Sequence, residues 1–446
     1  MTEPIPITTS VQRRTFPDEQ IRTAADAIEN ADRTRLRSLY IHVPFCFHKC
    51  HYCDFYSIVD REDSHRNFVD ALCVELRALG RSVDAPALET IFVGGGTPTL
   101  LSPAHWLQIA GAIHDNFDLS PIGAGAGEWT VECNPETATP ELAHTLAALG
   151  VTRVSVGAQS FNPRHLKALE RWHDPESVAR ALGFFHDAGV ARRSVDLIFA
   201  IPGQTLDELD DDLRQALAAD PGLEHVSCYC LTYEPNTPMT VRLHRDEFEP
   251  ASETLEVTML NHIIAMLGDA GLARYEVSNF AKPGAQCQHN LRYWRQCSWL
   301  AAGPAASGHA IALDNSLAPA LASVGVGARW KNIPHLGRWL KGVHDNAGWA
   351  PVIDVEPPDA ARALRERIMT GLRLAEGVDA TMLLAAADAL GCAAQLEAAG
   401  SRAVDAGLLT STLNKTTGIL HWTPTDTGFR VADALAADMM ACVDAP

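Results

Sequence analysis

Cys46, Cys50 and Cys53 stand as C-x3-C-x2-C in the segment FCFHKCHYCDF, so one short loop supplies three thiol ligands. A cubane iron–sulfur cluster normally takes four cysteines. Three local ones leave one iron open. A ligand carrying both an amine and a carboxylate, such as the methionine part of S-adenosylmethionine, could chelate that corner. An electron from the reduced cluster could then break the sulfonium C–S bond and give a 5′-deoxyadenosyl radical, chemistry that belongs to the cofactors while the protein positions them. Zinc is the competing reading, because His48 and His51 lie in the same loop and could complete a tetrahedron. Zinc sites, however, usually pair two such arms.

A second constellation is His289-Asn290-x-x-Tyr293-Trp294. Imidazole is a common axial ligand of haem iron, tyrosinate is a rarer one, and tryptophan offers an apolar face to a porphyrin. Cys287 nearby is a further soft ligand candidate. Eighteen histidines in the chain keep an ordinary structural histidine in play.

These groups need elements to position them, and the chain from Ser38 onward supplies a repeating rhythm. Apolar β-type runs at 39–43, 90–93, 129–133, 153–156, 195–199 and 225–232 alternate with helically spaced segments at 68–79, 105–113, 141–149, 164–170, 177–188, 206–218 and 253–270. Strand alternating with helix implies a parallel sheet with helices outside it. Some six units in succession predict an α/β fold, a partial (β/α)6 TIM-like barrel. In such barrels the chemistry gathers at the carboxyl ends of the strands. There the apolar runs deliver Cys46, Gly94 to Thr97, Glu132, Gln159 and Asp196.

Beyond residue 271 the segments RYEVSNF, QHNLRYW and AAGPAASG suggest strands and loops that extend or cover the barrel. From 358 onward the pattern is mainly helical, over 360–372, 380–390 and 394–406, with a hairpin near 418–422 and a last helix from 428. That is a compact domain of winged-helix type. The expected division is an arm at 1–37, the barrel at 38–270, an extension with the H-N-x-x-Y-W motif at 271–357 and the helical domain at 358–446.

The 446 residues are 47% hydrophobic, so the chain can bury real cores. It carries 36 Lys+Arg against 55 Asp+Glu, a net charge of -19, with no long basic run. Phosphate backbones and anionic lipid surfaces repel such a chain, so no nucleic-acid partner is expected. No apolar stretch reaches the length of a membrane span, and the start has no apolar signal core, so the expectation is a cytoplasmic protein with no integral membrane segment. In a reducing compartment clustered cysteines point to metal ligation, and the scattered Cys73, Cys133, Cys392 and Cys442 read as small buried hydrophobes.

YIHVPFCFHKCHYCDFYS resembles the cysteine loop of the radical S-adenosylmethionine (radical SAM) superfamily. The chain is similar to its HemN-like branch, which contains the oxygen-independent coproporphyrinogen III oxidases and the HemW haem chaperones. The likeness runs from about residue 38 to 440. It takes in IFVGGGTPTLL, VECNPE, RVSVGAQSF, Arg171, SVDLIFAIPGQT, HVSCYCLTYEPNTP, RYEVSNFAKPGAQCQHNLRYW and GLRLAEGVD, in that order.

The resemblance implies that Cys46, Cys50 and Cys53 hold a [4Fe-4S] cluster. It puts Tyr40 beside bound S-adenosylmethionine and Tyr52 near its adenine. Gly95, Gly96 and Thr97 would lie against the amino-acid moiety, where glycine allows close backbone approach. Glu132 would take the ligand ammonium or a ribose hydroxyl, and Gln159, Arg171 and Asp196 would contact the nucleoside or carboxylate, Arg171 through paired N–H donors. Taken singly, the glycine turn also reads as an ordinary strand–helix turn and Glu132 as a salt-bridged barrel acid. H-N-x-x-Y-W resembles the haem-binding motif of HemW proteins and so puts His289, Asn290, Tyr293 and Trp294 on haem.

The oxidase pattern has a further cysteine two residues beyond the third, where this chain has Phe55. The expectation is therefore a haem chaperone that carries a [4Fe-4S] cluster with S-adenosylmethionine and passes haem to an acceptor protein. Neither the acceptor nor the electron donor is identified by the sequence. An oxygen-independent coproporphyrinogen III oxidase, or another radical tetrapyrrole enzyme, is the alternative. Two departures from the family pattern bear on the haem side. AAGPAASG lacks the histidine expected after the Tyr-Trp pair, with His309 nearby, and AIPGQT replaces GLPGQT.

Overall fold

A computed structural model of the protein describes residues 22–60, 64–314 and 316–443. Six strands, β1 (Ser38–Val43), β2 (Thr90–Gly95), β3 (Glu128–Cys133), β4 (Arg153–Gln159), β5 (Arg192–Phe199) and β6 (His225–Cys230), each pair in parallel with the next. Their Val, Ile and Leu side chains are buried, as strands covered on both faces require. The crossovers are the helices α1 (His65–Ser82), α2 (Pro103–Asn116), α3 (Pro140–Ala148), α4 (Glu176–Asp187) and α5 (Leu206–Ala219), and α6 (Glu253–Asp269) follows β6. In α1 the buried Phe68, Leu72, Leu76 and Leu79 recur at helical spacing and seat that face on the sheet. Ser102, Thr139 and Thr205 cap α2, α3 and α5 by accepting an N–H of the first turn.

The barrel stays open. β6 is flanked by the antiparallel β8 (Asn279–Ala281), itself paired with β7 (Ala273–Arg274), and β1 by the parallel β9 (Leu300–Ala302). The order is β7-β8-β6-β5-β4-β3-β2-β1-β9. Beside this sheet lies a smaller one that runs Arg22–Thr23, Pro351–Glu356, Gly327–Asn332, Ser307–Ile311.

Two expectations change. QHNLRYW, read as strand or loop, forms helix α7 (Gln288–Trp294). Its start is fixed by Glu128, which accepts the Gln288 N–H at 3.0 Å and the Cys287 thiol at 3.4 Å and so places a carboxylate at the helix N-terminus. Of the expected arm, residues 1–21 lie outside the described residues, while Ala24, Ile28, Ala31 and Leu36 are buried in the barrel core.

The C-terminal helices Ala360–Gly371, Ala380–Ala389, Ala393–Asp405 and Ala432–Ala441 pack with a three-stranded antiparallel sheet of Val378–Asp379, Leu420–Pro424 and Leu409–Leu413. Leu364, Leu383, Leu396, Trp422 and Met439 belong to a core of their own, which also takes in Val324 and Val326. Among the described residues no helix is long and apolar enough to cross a membrane.

Candidate functional site

At the carboxyl ends of the barrel strands opens a cavity of about 390 Å³. Cys46, Cys50, Cys53, Tyr52, Gly95, Gly96, Thr97, Glu132, Gln159, Arg171 and Asp196 all line it. The chain brings them there by short, specific contacts. Phe45–Cys46 pairs in parallel with Ile58–Val59, which closes the cysteine loop at its base. The loop's far side is held where the His51 N–H donates to the Leu169 carbonyl at 3.3 Å and the His51 carbonyl accepts from the Met239 N–H at 3.0 Å.

The turn after β2 is fastened to the same base. The Gly96 N–H donates to the Val43 carbonyl at 2.8 Å and the Thr97 N–H to the Phe45 carbonyl at 2.6 Å. A Cβ on Gly96 would stand 2.5 Å from the Phe45 oxygen, and Gly95 has φ +101° with the His42 ring where its Cβ would be. Only glycine fits at either position. Thr97 then aims its hydroxyl at Cys46 Sγ, 3.7 Å away.

Arg171 reaches the thiols from the other side. One terminal N–H donates to Cys50 Sγ at 3.9 Å, the other to the Gly157 carbonyl at 2.9 Å, and Nε is buried without a partner. Burial pushes the Cys46 thiol up and the Cys53 thiol to about 11, so in the metal-free chain these groups keep their protons, and iron would displace them.

Glu132 Oε2 accepts the Gly95 N–H at 2.9 Å. Burial, assisted by the nearby Asp196 carboxylate, pushes Glu132 up to about 7. Asp196 is likewise raised by burial and accepts the hydroxyls of Ser155 at 2.9 Å and Ser227 at 2.7 Å. Gln159 sits at φ +63°, where the β4–β5 register shifts. That bulge turns its side chain toward the rim.

Not every expected residue joins the cavity. Tyr40 lies inside the barrel below it. Its hydroxyl donates to His42 Nδ1 at 3.1 Å, and His42 Nε2 donates to the Tyr56 carbonyl at 2.8 Å. The strand alternation places both side chains on the inner face, and Tyr40, two residues deeper, is not part of the wall.

The H-N-x-x-Y-W helix closes the opposite end. His289 is fully buried. Its Nδ1 shares a hydrogen bond with the Thr90 hydroxyl at 2.8 Å and its Nε2 one with the Tyr293 hydroxyl at 2.9 Å. Thr90 begins the strand that Gly95 ends, a separation of roughly 17 Å along β2. Both ring nitrogens are engaged, so the histidine as placed offers no lone pair to iron, and its partner Tyr293 packs on Trp299 with ring centroids 4.5 Å apart. Asn290 and Trp294, on the same helix, are also absent from the cavity wall, and Cys287 is tied to Glu128. His309 is engaged as well, through Nδ1 with the Cys297 carbonyl at 3.1 Å.

The loop histidines do not complete a zinc site. His48 lies flat on Trp172, centroids 4.0 Å apart and planes 9° from parallel. Among the described residues no three His, Cys, Asp or Glu side chains converge as a single metal ion requires.

Residue reasoning missed Ser155 and Ser227, which hold Asp196. Their signal was available, since both are polar residues inside apolar strand runs. It also missed the aromatic collar of the cavity, Phe47, Phe55, Trp172 and Tyr229.

An open parallel barrel with three cysteines at its carboxyl rim defines a radical S-adenosylmethionine protein, and the model of the radical SAM superfamily matches residues 40–216. A [4Fe-4S] cluster and S-adenosylmethionine are the cofactors that this class implies, and the donor set suits them: three thiols from one loop, a buried guanidinium beside one of them and a glycine turn open to a ligand. Heme chaperone HemW of Mycobacterium tuberculosis is 34% identical over 353 residues, which cover 78% of this chain and 84% of that one. Heme chaperone HemW of Escherichia coli is 38% identical over 273 residues, 61% of this chain and 69% of its own. The solved coproporphyrinogen III oxidase HemN of Escherichia coli superposes with a TM-score of 0.73 over 96% of this chain and 94% of its own at 19% identity, a likeness of fold. The chain belongs to the HemW family.

Proposed function

We propose that this protein binds haem and hands it to an acceptor protein, carrying a [4Fe-4S] cluster with S-adenosylmethionine at the carboxyl rim of its barrel. Phe55 carries this reading against oxidase chemistry, because it occupies the place where the oxidase pattern has its additional cysteine. The acceptor is a protein that needs haem, and a separate donor supplies the electron.

In this reading Cys46, Cys50 and Cys53 hold the cluster. The Arg171 guanidinium and the Thr97 hydroxyl orient and stabilise thiolate charge at Cys50 and Cys46 by charge-assisted and neutral hydrogen bonds. With a cluster and S-adenosylmethionine held by these residues, the cofactors would supply a reducible sulfonium. The Gly95–Gly96 backbone lets it approach, Glu132 accepts from its ammonium or ribose, and Asp196, held by Ser155 and Ser227, presents a fixed acceptor deeper in the wall. Tyr52 and Gln159 bound the nucleoside side.

The experiment is paired. The protein is reconstituted anaerobically with iron and sulfide and titrated with haemin. It is also incubated with coproporphyrinogen III, S-adenosylmethionine and a reductant. A shifted Soret band with no protoporphyrinogen supports the chaperone, and decarboxylated product overturns it in favour of the oxidase.

A further inference from the structure

We infer that haem docks on the aromatic collar of the cysteine-loop cavity, against Phe47, Phe55 and Trp172, and not at His289 on the opposite end of the barrel. This deepens the chaperone reading and rests on it for the identity of the ligand.

Phe47 is 70% exposed, Phe55 62% and Trp172 59%. With Tyr229, at 42% on the cavity wall, they are the large aromatic side chains left exposed among the described residues, and all four line this one cavity. Scattered apolar side chains on a surface need no explanation, but aromatic rings gathered around one opening do. The backbone holds them outward. Phe45, two residues before Phe47, is fully buried against Phe68, and the strand pair at Phe45–Cys46 ends just there. Trp172 is stacked on His48, and its indole N–H donates to Glu170 at 3.2 Å. The ring is therefore fixed as a flat wall rather than left loose.

The occupant follows from shape and charge. A porphyrin offers a broad apolar face and two carboxylates. The collar offers apolar rings around a mouth whose interior the proposed S-adenosylmethionine would fill. Between Phe47 and Phe55 the exposed Lys49 donates from Nζ to the Phe55 carbonyl at 3.4 Å, which keeps its cation beside the rings in a chain whose net charge is -19. That is one apolar face and one fixed cation for a flat dianion. At the other end of the barrel, His289 is enclosed on all sides and both its nitrogens are occupied.

The test uses the full chain, with and without reconstituted cluster, titrated with haemin and followed in the Soret band, with size-exclusion chromatography of each species. The Phe47→Ser/Phe55→Ser double variant changes exposed side chains and leaves the core intact. Its haemin affinity is expected to fall by about tenfold or more. Lys49→Glu is expected to weaken haemin more than haemin dimethyl ester, whose carboxyls are masked. Leu413→Ser, an exposed apolar residue on the C-terminal sheet, serves as the control for haemin adhering to any apolar surface. Unchanged affinity in the double variant overturns the inference. So does a variant that loses only self-association, because the collar would then be a contact between copies. If the wild-type chain itself takes up no haemin, the chaperone reading has failed rather than the choice of site.

Discussion

Arg171 joins two parts of the site that no strand connects: one terminal N–H lies 3.9 Å from Cys50 Sγ and the other 2.9 Å from the Gly157 carbonyl at the end of β4. Its buried guanidinium favours the thiolate of Cys46, against the burial that raises that thiol. Arg171→Met keeps the length and removes both donors. Iron and sulfide bound per chain after anaerobic reconstitution should drop, while the far-ultraviolet circular dichroism of the apoprotein stays that of the parent. Full cluster loading in the variant would show that the guanidinium does not act on the cysteine loop.

Gly96→Ala tests the turn that carries Thr97. The added methyl meets the Phe45 and Val43 carbonyls at 2.5 and 2.7 Å, both of them backbone atoms that cannot swing away. Overpacking of this kind costs about 1–3 kcal/mol. The denaturant midpoint of the apoprotein should fall accordingly. Cluster loading should fall further than stability alone explains, since Cys46 loses the Thr97 hydroxyl.

The barrel was legible because two periodicities dominate it: the buried Leu39, Ile41 and Val43 run in β1, and the helical spacing of Phe68, Leu72 and Leu76 in α1. The rim was legible because Glu132 and Asp196 interrupt apolar strands near their carboxyl ends. Depth and direction were not. Tyr40 and His42 share one face of β1, and only the assembled barrel shows that neither side chain reaches the cavity wall. Phe45 and Phe47 are the same residue type two positions apart, yet one is buried and the other 70% exposed, because the strand ends between them. The helix at 288–294 depends on Glu128, some 160 residues away in sequence, and no local pattern could report that partner.

Glu132 makes ligand binding pH-dependent. Burial and Asp196 hold its carboxyl near 7, so it is mostly neutral at pH 6 and mostly ionised at pH 8. A carboxylate accepts from the ligand's ammonium or hydroxyl better than the neutral acid. S-adenosylmethionine affinity should therefore rise with pH across that interval in equilibrium dialysis. Glu132→Gln should bind more weakly at pH 8 and lose most of the slope. A slope unchanged in the variant would assign the titration to the ligand's own amine.

His289→Ala separates fold from function at the closed end of the barrel. The substitution strands the Thr90 and Tyr293 hydroxyls and leaves a cavity, at a cost of about 2–4 kcal/mol. A related effect appears on acidification. Burial holds His42, His173 and His309 near 4 and His289 near 3, all below the ordinary 6.5. Below about 6.5 the unfolded chain takes up protons that the folded chain refuses, so stability is fully present above that pH and is lost progressively as pH falls toward 4. The buried carboxyls of Glu75, Glu132 and Asp212, raised by burial to about 8, 7 and 6, pull the total the other way in both proteins, so thermal melts from pH 7.5 to 4.5 should show the stability gap between the parent and His289→Ala narrowing as pH falls. Haemin binding at pH 7.5, measured on the fraction that remains folded, should survive the substitution. Loss of haemin from fully folded His289→Ala protein would return the porphyrin to the end of the barrel that α7 closes.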